Sequence, residues 1–333
     1  MKGGWQRGLR IAGIILAAAG AGATAGTLTP VNVCYSALTA TQATVWYAYE
    51  KGLFQKYGLQ VKLVFIPGGA RAATTLISGD MDISQIGAPP VVNAAAARKD
   101  IVIIAGLINV ASGSLMAQPR ISSMAMLVGK TVGTNDGSNT DSVLRLILRK
   151  HQLDPGRDVK MLNIGGDPER AAALEARQVD ATLVTPPHTF ELQKKGFVNL
   201  YDADRAKIPY QSTCIATTRK YLTSHRAAVT SFMTAIQEAI VRIKHDPQGS
   251  KAVMAQYMVL DPAADAGTLQ QSYDSTLLEE LAEVPYPTIP GLQIIIDMAA
   301  KDNPGAARVK PQDIVDVSIL DDLKRAGLAI RLR

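Results

Sequence analysis

The chain has 333 residues, 47% of them apolar and 19% charged, with a formal net charge of +6. That apolar share can build sizeable cores, and the length exceeds what one core usually serves, so two domains are expected. The charge is small and scattered, which excludes a surface built for nucleic acid.

Residues 1–25 read as a secretory signal peptide. Lys2, Arg7 and Arg10 form a positive start, residues 11–19 an apolar run, and Ala23-Thr24-Ala25 the small-x-small pattern of a cleavage site. The run is interrupted by Gly13 and followed by Gly20, Gly22 and Gly26, and it is shorter than the roughly 20 residues a membrane span needs. Cleavage near Ala25 removes three positive charges and leaves +3. A periplasmic location is expected. No cysteine stands directly after the apolar run, so a lipid anchor is not.

The mature chain then alternates short β-like runs with helical stretches. Residues 31–36 form a strand and 43–51 a helix that stops at Gly52. Gly58 breaks the next turn before a strand over 61–65. Pro67-Gly68-Gly69 opens a helix over 70–77, ended by Gly79-Asp80. A short strand over 83–86 leads through Gly87-Ala88-Pro89-Pro90 into an Ala-rich helix reaching Arg98. Residues 101–108 are apolar nearly throughout, as in a strand buried on both faces. Strands spaced by helices predict parallel pairing with right-handed crossovers.

A second α/β block starts near Leu127. A strand over 130–133 enters the loop Thr134-Asn135-Asp136-Gly137-Ser138-Asn139-Thr140, which opens a helix to His151. Residues 159–164 form a strand ending in Gly165-Gly166-Asp167-Pro168, before a helix through Arg177. The strand over 181–184 ends in Thr185-Pro186-Pro187-His188, and 198–201 is a last short strand of this block. After Tyr210, one strand over 212–217 precedes a mostly helical tail. Ser224 is a suitable N-cap for a helix over 226–244, and Asp246-Pro247 starts the next. Amphipathic helices over 292–300 and 314–325 close the pattern. Cys34 and Cys214 each fall in a strand and are expected to be separate, buried thiols.

Ligands of α/β sheets sit beyond the carboxyl ends of the strands. The candidate contacts in the first block are therefore Ser36, Leu38, Thr39 and Thr41, then Gly68, Gly69 and Ala70, then Gly87, Ala88 and Pro89. In the second block they are Asn135, Gly137, Ser138, Asn139 and Thr140, then Gly165 and Gly166, then Thr185 and Pro186. The strongest is Gly137–Thr140, where amides and hydroxyls at a positive helix end suit an oxyanion. Ser138 or Asn139 capping its own helix is an equal reading. Asp136 and Asp141 flank this start and compete for the same potential, so an acid facing the cleft would favour a neutral or cationic solute. Arg71, beside Gly69, is a candidate charge partner for a carboxylate or sulfonate, with a solvated surface role as the alternative. Trp46 is a candidate to pack on a ring of the solute, Tyr49 reads as core, and His188 as a rim residue or cap.

No loop carries a nucleophile–base pair. The four histidines are isolated, no spacing fits a metal site, and no phosphate-binding loop or nucleophile elbow is present. No catalytic residue, metal or cofactor is expected, and the chain does not read as an enzyme.

Four stretches together carry a family likeness. They are Tyr49-Glu50-Lys51-Gly52-Leu53-Phe54 with Tyr57-Gly58-Leu59-Gln60-Val61, then Leu76-Ile77-Ser78-Gly79-Asp80-Met81-Asp82-Ile83, then Leu127-Val128-Gly129-Lys130-Thr131-Val132-Gly133, and Gln178-Val179-Asp180-Ala181. In order and spacing they resemble the solute-binding proteins of ABC importers, in the branch of aliphatic-sulfonate, nitrate and thiamine-pyrimidine binders. The likeness covers residues 30–260. Gly52, Gly58 and Gly79 in these stretches have a plain reading as helix ends.

The resemblance implies an α/β, two-lobe periplasmic-binding-protein type II fold, each lobe a mainly parallel sheet flanked by helices. Residues 27–112 and 213–333 make lobe one with a helical C-terminal tail, and 113–212 make lobe two. Crossings over 111–118 and 210–213 form a hinge that closes around a solute. Such a protein captures a small organic solute, anionic or heterocyclic, and delivers it to an ABC permease at the inner membrane. A monomer without cofactor is expected. Two alternatives share the chemistry or the fold: a pyrimidine-precursor biosynthesis enzyme, and a sensor that presents its ligand to a receptor.

Overall fold

Two separate runs of alternating strand and helix fold into two separate five-stranded sheets in the computed structural model, which describes residues 27–327. The expected signal peptide lies outside the described residues. The first run supplies β1 (Thr29–Tyr35), α1 (Ala43–Glu50), α2 (Leu53–Lys56), β2 (Leu59–Phe65), α3 (Gly69–Ser78), β3 (Ile83–Ile86), α4 (Ala88–Ala96) and β4 (Val102–Val110). Gly52, Gly68 and Gly79 adopt the positive φ angles of 65°, 85° and 84° that break one element from the next. The second run supplies β5 (Ser114–Ala117), β6 (Thr131–Thr134), α5 (Asn139–Lys150), β7 (Lys160–Asn163), α6 (Asp167–Glu175), β8 (Ala181–Val184), α7 (His188–Lys194), β9 (Val198–Asp202) and α8 (Ala203–Ala206). Then follow β10 (Pro209–Thr217), α9 (Arg219–Ser224), α10 (Arg226–His245), α11 (Pro247–Met258), α12 (Ala266–Ser272), α13 (Ile289–Asp302) and α14 (Ser318–Arg325).

The strand orders are β2-β1-β3-β10-β4 and β7-β6-β8-β5-β9. They are the same arrangement written twice. In each sheet the second run of pairings reverses: β10 is antiparallel to β3 and β4, and β5 is antiparallel to β8 and β9. Each reversed strand is the first one laid down after the chain passes between sheets. Parallel pairing alone, as predicted from strand–helix alternation, is therefore incomplete. β5 itself went unread, because four residues inside the crossing carry too little periodicity to identify a strand. The first passage runs from Val110 to Ser114. The second runs from Asp202 to Pro209, upstream of the crossing expected at 210–213.

The helical tail returns to cover the outer face of the first sheet. Phe54 of α2 stacks on Phe232 of α10 at 5.1 Å, and Trp46 of α1 stacks on Tyr257 of α11 at 4.8 Å. Trp46 is fully buried there, 5.5 Å edge-on to Tyr35. It belongs to the core and does not face a solute, which corrects the sequence reading. Full burial of such a ring is worth about 2–3 kcal/mol. Tyr49 is half-buried and packs against the same core. Ser224 also departs from expectation: it ends α9, its hydroxyl donating to the Lys220 carbonyl at 2.8 Å, and α10 starts without a side-chain cap.

Cys34 lies on β1 and Cys214 on β10, and both are free and buried. With β3 between those strands and a two-residue offset along it, they stand about 11–12 Å apart, beyond the roughly 7 Å that a disulfide spans between Cα atoms. Among the described residues, no helix is long and apolar enough to cross a membrane.

Candidate functional site

All the parallel strands end at one edge of their sheet, and the two edges face each other across a cleft. In the first sheet, β1 runs into Ser36–Thr39 and a short turn over Ala40–Gln42, while Gly68 starts α3 and Gly87 starts α4. The Gly68 amide donates to the Ser36 carbonyl at 3.1 Å and ties two of these loops together. In the second sheet, Ser138 caps α5, Gly166 precedes α6, and Thr185 follows β8. Between them lies a cavity of about 120 Å³ with walls from both sides.

The lobes touch around that cavity. The Ala40 amide donates to the Pro186 carbonyl at 3.3 Å. A Cβ placed on Gly87 would stand 2.6 Å from the Asn139 Cβ, and one on Gly137 would stand 3.7 Å from the Ala70 Cβ. This is a closed arrangement.

Most of the residues selected from sequence meet here. Ser36, Leu38, Thr39, Thr41, Gly68, Gly69 and Gly87 line the cavity from one side, and Asn135, Ser138, Asn139, Thr140, Gly166 and Thr185 from the other. Ala70, Ala88, Gly137 and Pro186 do not. Ala70 is exposed at the start of α3, and Ala88 is buried in the core. Gly137 turns away, its amide held by the Asp141 carboxylate at 3.0 Å. Pro186 contributes its carbonyl to the lobe contact instead. Pro89 and Gly165 also lie off the wall, and Arg71 is exposed outside it. His188 faces Glu191, with Nδ1 2.8 Å from a carboxylate oxygen, and that partnership holds the Glu191 carboxyl below its ordinary range.

The sequence reading missed Ala37, Gln42, Phe65, Pro67, Ser112, Asp167, Pro168, Glu169, Ser212 and Thr213, all of which line the cavity. Ser112, Ser212 and Thr213 have a single explanation. β5 and β10 run opposite to their neighbours, so their amino ends reach the edge where the other strands have carboxyl ends. The strand-end rule finds them once the reversal is known. Gln42 had a weaker signal, as the one amide side chain in a threonine-rich entry to an apolar helix.

Charge at the site is arranged by buried partners. Arg170 is 1% exposed and pairs with Asp167 at 2.5 Å, while its Nε and Nη2 donate to the Leu183 carbonyl at 3.2 and 3.1 Å. The other Asp167 oxygen accepts from the Thr185 amide and hydroxyl, both at 2.7 Å. Asp167 is thus neutralised. Asp141 likewise accepts from Thr134 Oγ1 at 2.8 Å and from Arg145 Nε at 2.8 Å. Ser138 Oγ accepts from the Asp141 amide at 3.2 Å, so its hydroxyl does cap α5 while also lining the cavity. Glu169 stays exposed at the rim beside Gly166. No Lys, Arg or His is among the described residues that line the cavity.

Two side-chain oxygens stand out. Gln42 Oε1 and Asn139 Oδ1 are buried without a hydrogen-bond partner, and they come from opposite lobes. Among the described residues, no group of three or more His, Cys, Asp or Glu side chains is placed to hold a metal ion.

A second polar cluster sits where the chain passes between sheets. Asp204 accepts the Gly113 amide at 2.8 Å, and burial pushes its carboxyl up. Glu280 lies against it, with Lys207 Nζ 3.5 Å from its Oε1. Burial, then the Asp204 charge, push the Glu280 carboxyl up to about 9.

Comparison with known proteins places this geometry. The family model described as NMT1/THI5 like matches residues 40–250. A Brucella abortus protein named as a binding protein is 28% identical over 263 residues, covering 77% of this chain and 79% of its own. A Brachyspira hyodysenteriae protein named as an ABC transporter periplasmic binding protein is 24% identical over 218 residues, covering 60% of this chain and 62% of its own. The solved alkanesulfonate-binding protein of Xanthomonas axonopodis pv. citri, bound to MOPS, has the same fold: a TM-score of 0.71 at 20% identity, over 86% of this chain and 98% of that one.

Proposed function

The chain belongs to the NMT1/THI5-like family, and on that premise we propose that it is an exported, periplasmic solute-binding protein serving an ABC import permease. Its two lobes close around a small organic solute and present the closed form to the permease. The observation that carries this reading is the cavity itself: hydroxyls and side-chain amides from both lobes converge on a space of about 120 Å³. Each sheet with its helices is one lobe, and the passages over 110–114 and 202–209 are the hinge. The positive and apolar start over 1–25 is the export signal, cleaved near Ala25.

Binding without chemistry is the reading that the relatives named as binding proteins support. The lining hydroxyls have no histidine among them to act as base, and Cys34 and Cys214 lie in the strands, away from the cavity. The solute is released as it entered.

A thermal-shift screen of the mature protein tests this, using sulfonates, carboxylates, nitrate, amides, ureas and pyrimidines. A solute present at 100 times its Kd stabilises the closed form by about 2.7 kcal/mol, which raises the melting temperature. Mass spectrometry then recovers the solute unchanged, and the loaded protein stimulates its permease's ATPase in vesicles. Conversion of the solute, or the absence of a shift with every class, defeats the reading.

A further inference from the structure

We propose that the chain carries a second ligand site, at the end of lobe one remote from the solute cavity, and that it takes a phosphate monoester. The site shares no residue with that cavity, so its test is independent of the importer reading.

α4 follows Gly87 on the wall of the solute cavity and runs for 9 residues, roughly 13 Å, away from it. At its far end, the starts of β4 and α9 and the turns over Ala306–Arg308 and Pro311–Ile314 enclose a surface cavity of about 430 Å³. Small-molecule sites span roughly 300–1,000 Å³. Four cations line this one: Arg98, Lys99, Arg219 and Arg308. Arg219 is engaged, its Nη2 donating to the Asp313 carbonyl at 2.5 Å and its Nη1 lying 4.0 Å from Asp316. Among the described residues, the side chains of Arg98, Lys99 and Arg308 have no ion-pair or hydrogen-bond partner. Arg120, Arg157, Arg226 and Arg325, on the surface elsewhere, each pair with an aspartate.

Two carboxylates share the walls. Asp100 is spent on α9, its oxygens accepting the Arg219 and Lys220 amides at 2.9 and 3.0 Å. Asp313 is exposed with its carboxylate unpaired, so three free cations stand against one free anion. Arg98 and Lys99 follow the negative end of the α4 dipole, which suits their charge. That does not account for Arg308, which reaches the same hollow from a distant part of the chain. Like charges around one hollow repel, and a bound anion relieves the repulsion. The guanidinium forks of Arg98 and Arg308 match the paired oxygens of a phosphate, and Lys99 adds a point charge. Ile101 and Ile314, 3% and 2% exposed, form an apolar floor with Val309. The free ion would leave that floor bare, whereas the ring or chain of an ester covers it. A flat membrane surface fits a hollow less well.

Phenyl phosphate, inorganic phosphate and phosphatidylglycerol vesicles are the probes. Amide NMR of the mature protein with phenyl phosphate should show shifts clustered over 95–101, 219–220 and 305–314. Calorimetry should give a Kd below about 1 mM, rising with salt as an exposed charge site requires. Inorganic phosphate should bind at least tenfold more weakly. Arg98→Gln combined with Arg308→Gln should weaken phenyl phosphate at least tenfold and leave the melting temperature unchanged, since neither side chain has a partner to lose. Shifts confined to the solute cavity, or an unchanged Kd in the double variant, overturn the inference. Inorganic phosphate binding as tightly as the ester overturns the ester assignment. No response to phenyl phosphate also overturns it, and pelleting with the vesicles would then assign the patch to a membrane surface. The importer reading is judged separately, by the solute screen and the permease assay.

Discussion

The backbone amide of Ala40 donates to the carbonyl of Pro186 at 3.3 Å, joining the two lobes directly beside residues that line the cavity. Neither residue uses its side chain for this contact. Closure is therefore written into backbone positions that strand-end loops from both sheets bring within reach. The side chains beside it are left free to choose the solute.

Gly87 is the point where closure is most easily blocked. Its φ of −77° suits any residue, so its need is for space alone. An added Cβ would stand 2.6 Å from the Asn139 Cβ in the opposite lobe and 3.2 Å from the Ser212 carbonyl oxygen in its own. Gly87→Ala should thus weaken solute binding at least tenfold, about 1.4 kcal/mol, while the melting temperature without solute changes little. Calorimetry alongside a thermal scan checks both. Wild-type affinity in Gly87→Ala would mean that the lobes do not meet here in the bound form.

Arg170 should be essential to lobe two for an electrostatic reason. It is buried with Asp167, and its removal leaves a carboxylate out of water with only Thr185 as donor. Breaking a buried pair from one side costs about 3–5 kcal/mol. Arg170→Leu should lower the urea midpoint accordingly, and Asp167→Asn added to it should restore part of the loss. A double variant no more stable than Arg170→Leu would show that the guanidinium acts by packing and by its bonds to the Leu183 carbonyl.

Ser138 and His188 offer a contrast between a wall residue and a neighbour. Ser138 donates its amide to Asn135 at 3.0 Å, caps α5 and lines the cavity. His188 faces Glu191 outside the wall. Ser138→Pro removes that amide donor and should weaken binding more than tenfold, whereas His188→Ala should stay within twofold. Equal losses in the two, measured on folded protein, would remove the α5 start from the site.

The sequence made the two α/β blocks legible because each carries glycines where helices end and apolar runs where strands are buried. Gly52, Gly68 and Gly79 stand at turns with positive φ, and β4 is apolar for most of its length. The loops after those strands could be named for the same reason. What stayed hidden depended on contacts distant in the chain. Whether β10 runs with or against β3 is decided by where the chain re-enters the sheet, and this hid Ser212 and Thr213. Trp46 looked available for a solute because its partner Tyr257 lies more than two hundred residues away. The pairing of the Asp167 carboxylate turned on Arg170, whose role is invisible until its guanidinium is seen against Asp167.

The polar cluster where the chain passes between the sheets predicts how stability responds to pH. Glu280 ends the π-helical segment Tyr273–Glu280, and its carboxyl is buried beside Asp204 of α8. Burial is the larger cause of its rise to about 9 and the Asp204 charge the next, with Lys207 pulling the other way from 3.5 Å. The unfolded chain releases this proton near the ordinary glutamate value of about 4.3. Between that value and about 9 the folded state therefore holds a proton that the unfolded state has lost. Stability contributed here is full below the unfolded value and falls as pH rises through the window. Glu280→Gln keeps the shape and hydrogen-bonding capacity but never ionises, so it escapes that fall. It should melt above the wild type at pH 8 and close to it at pH 5, by scanning calorimetry. The same gain at both pH values would mean that the benefit comes from packing, and that Glu280 is ionised in the native protein beside Lys207.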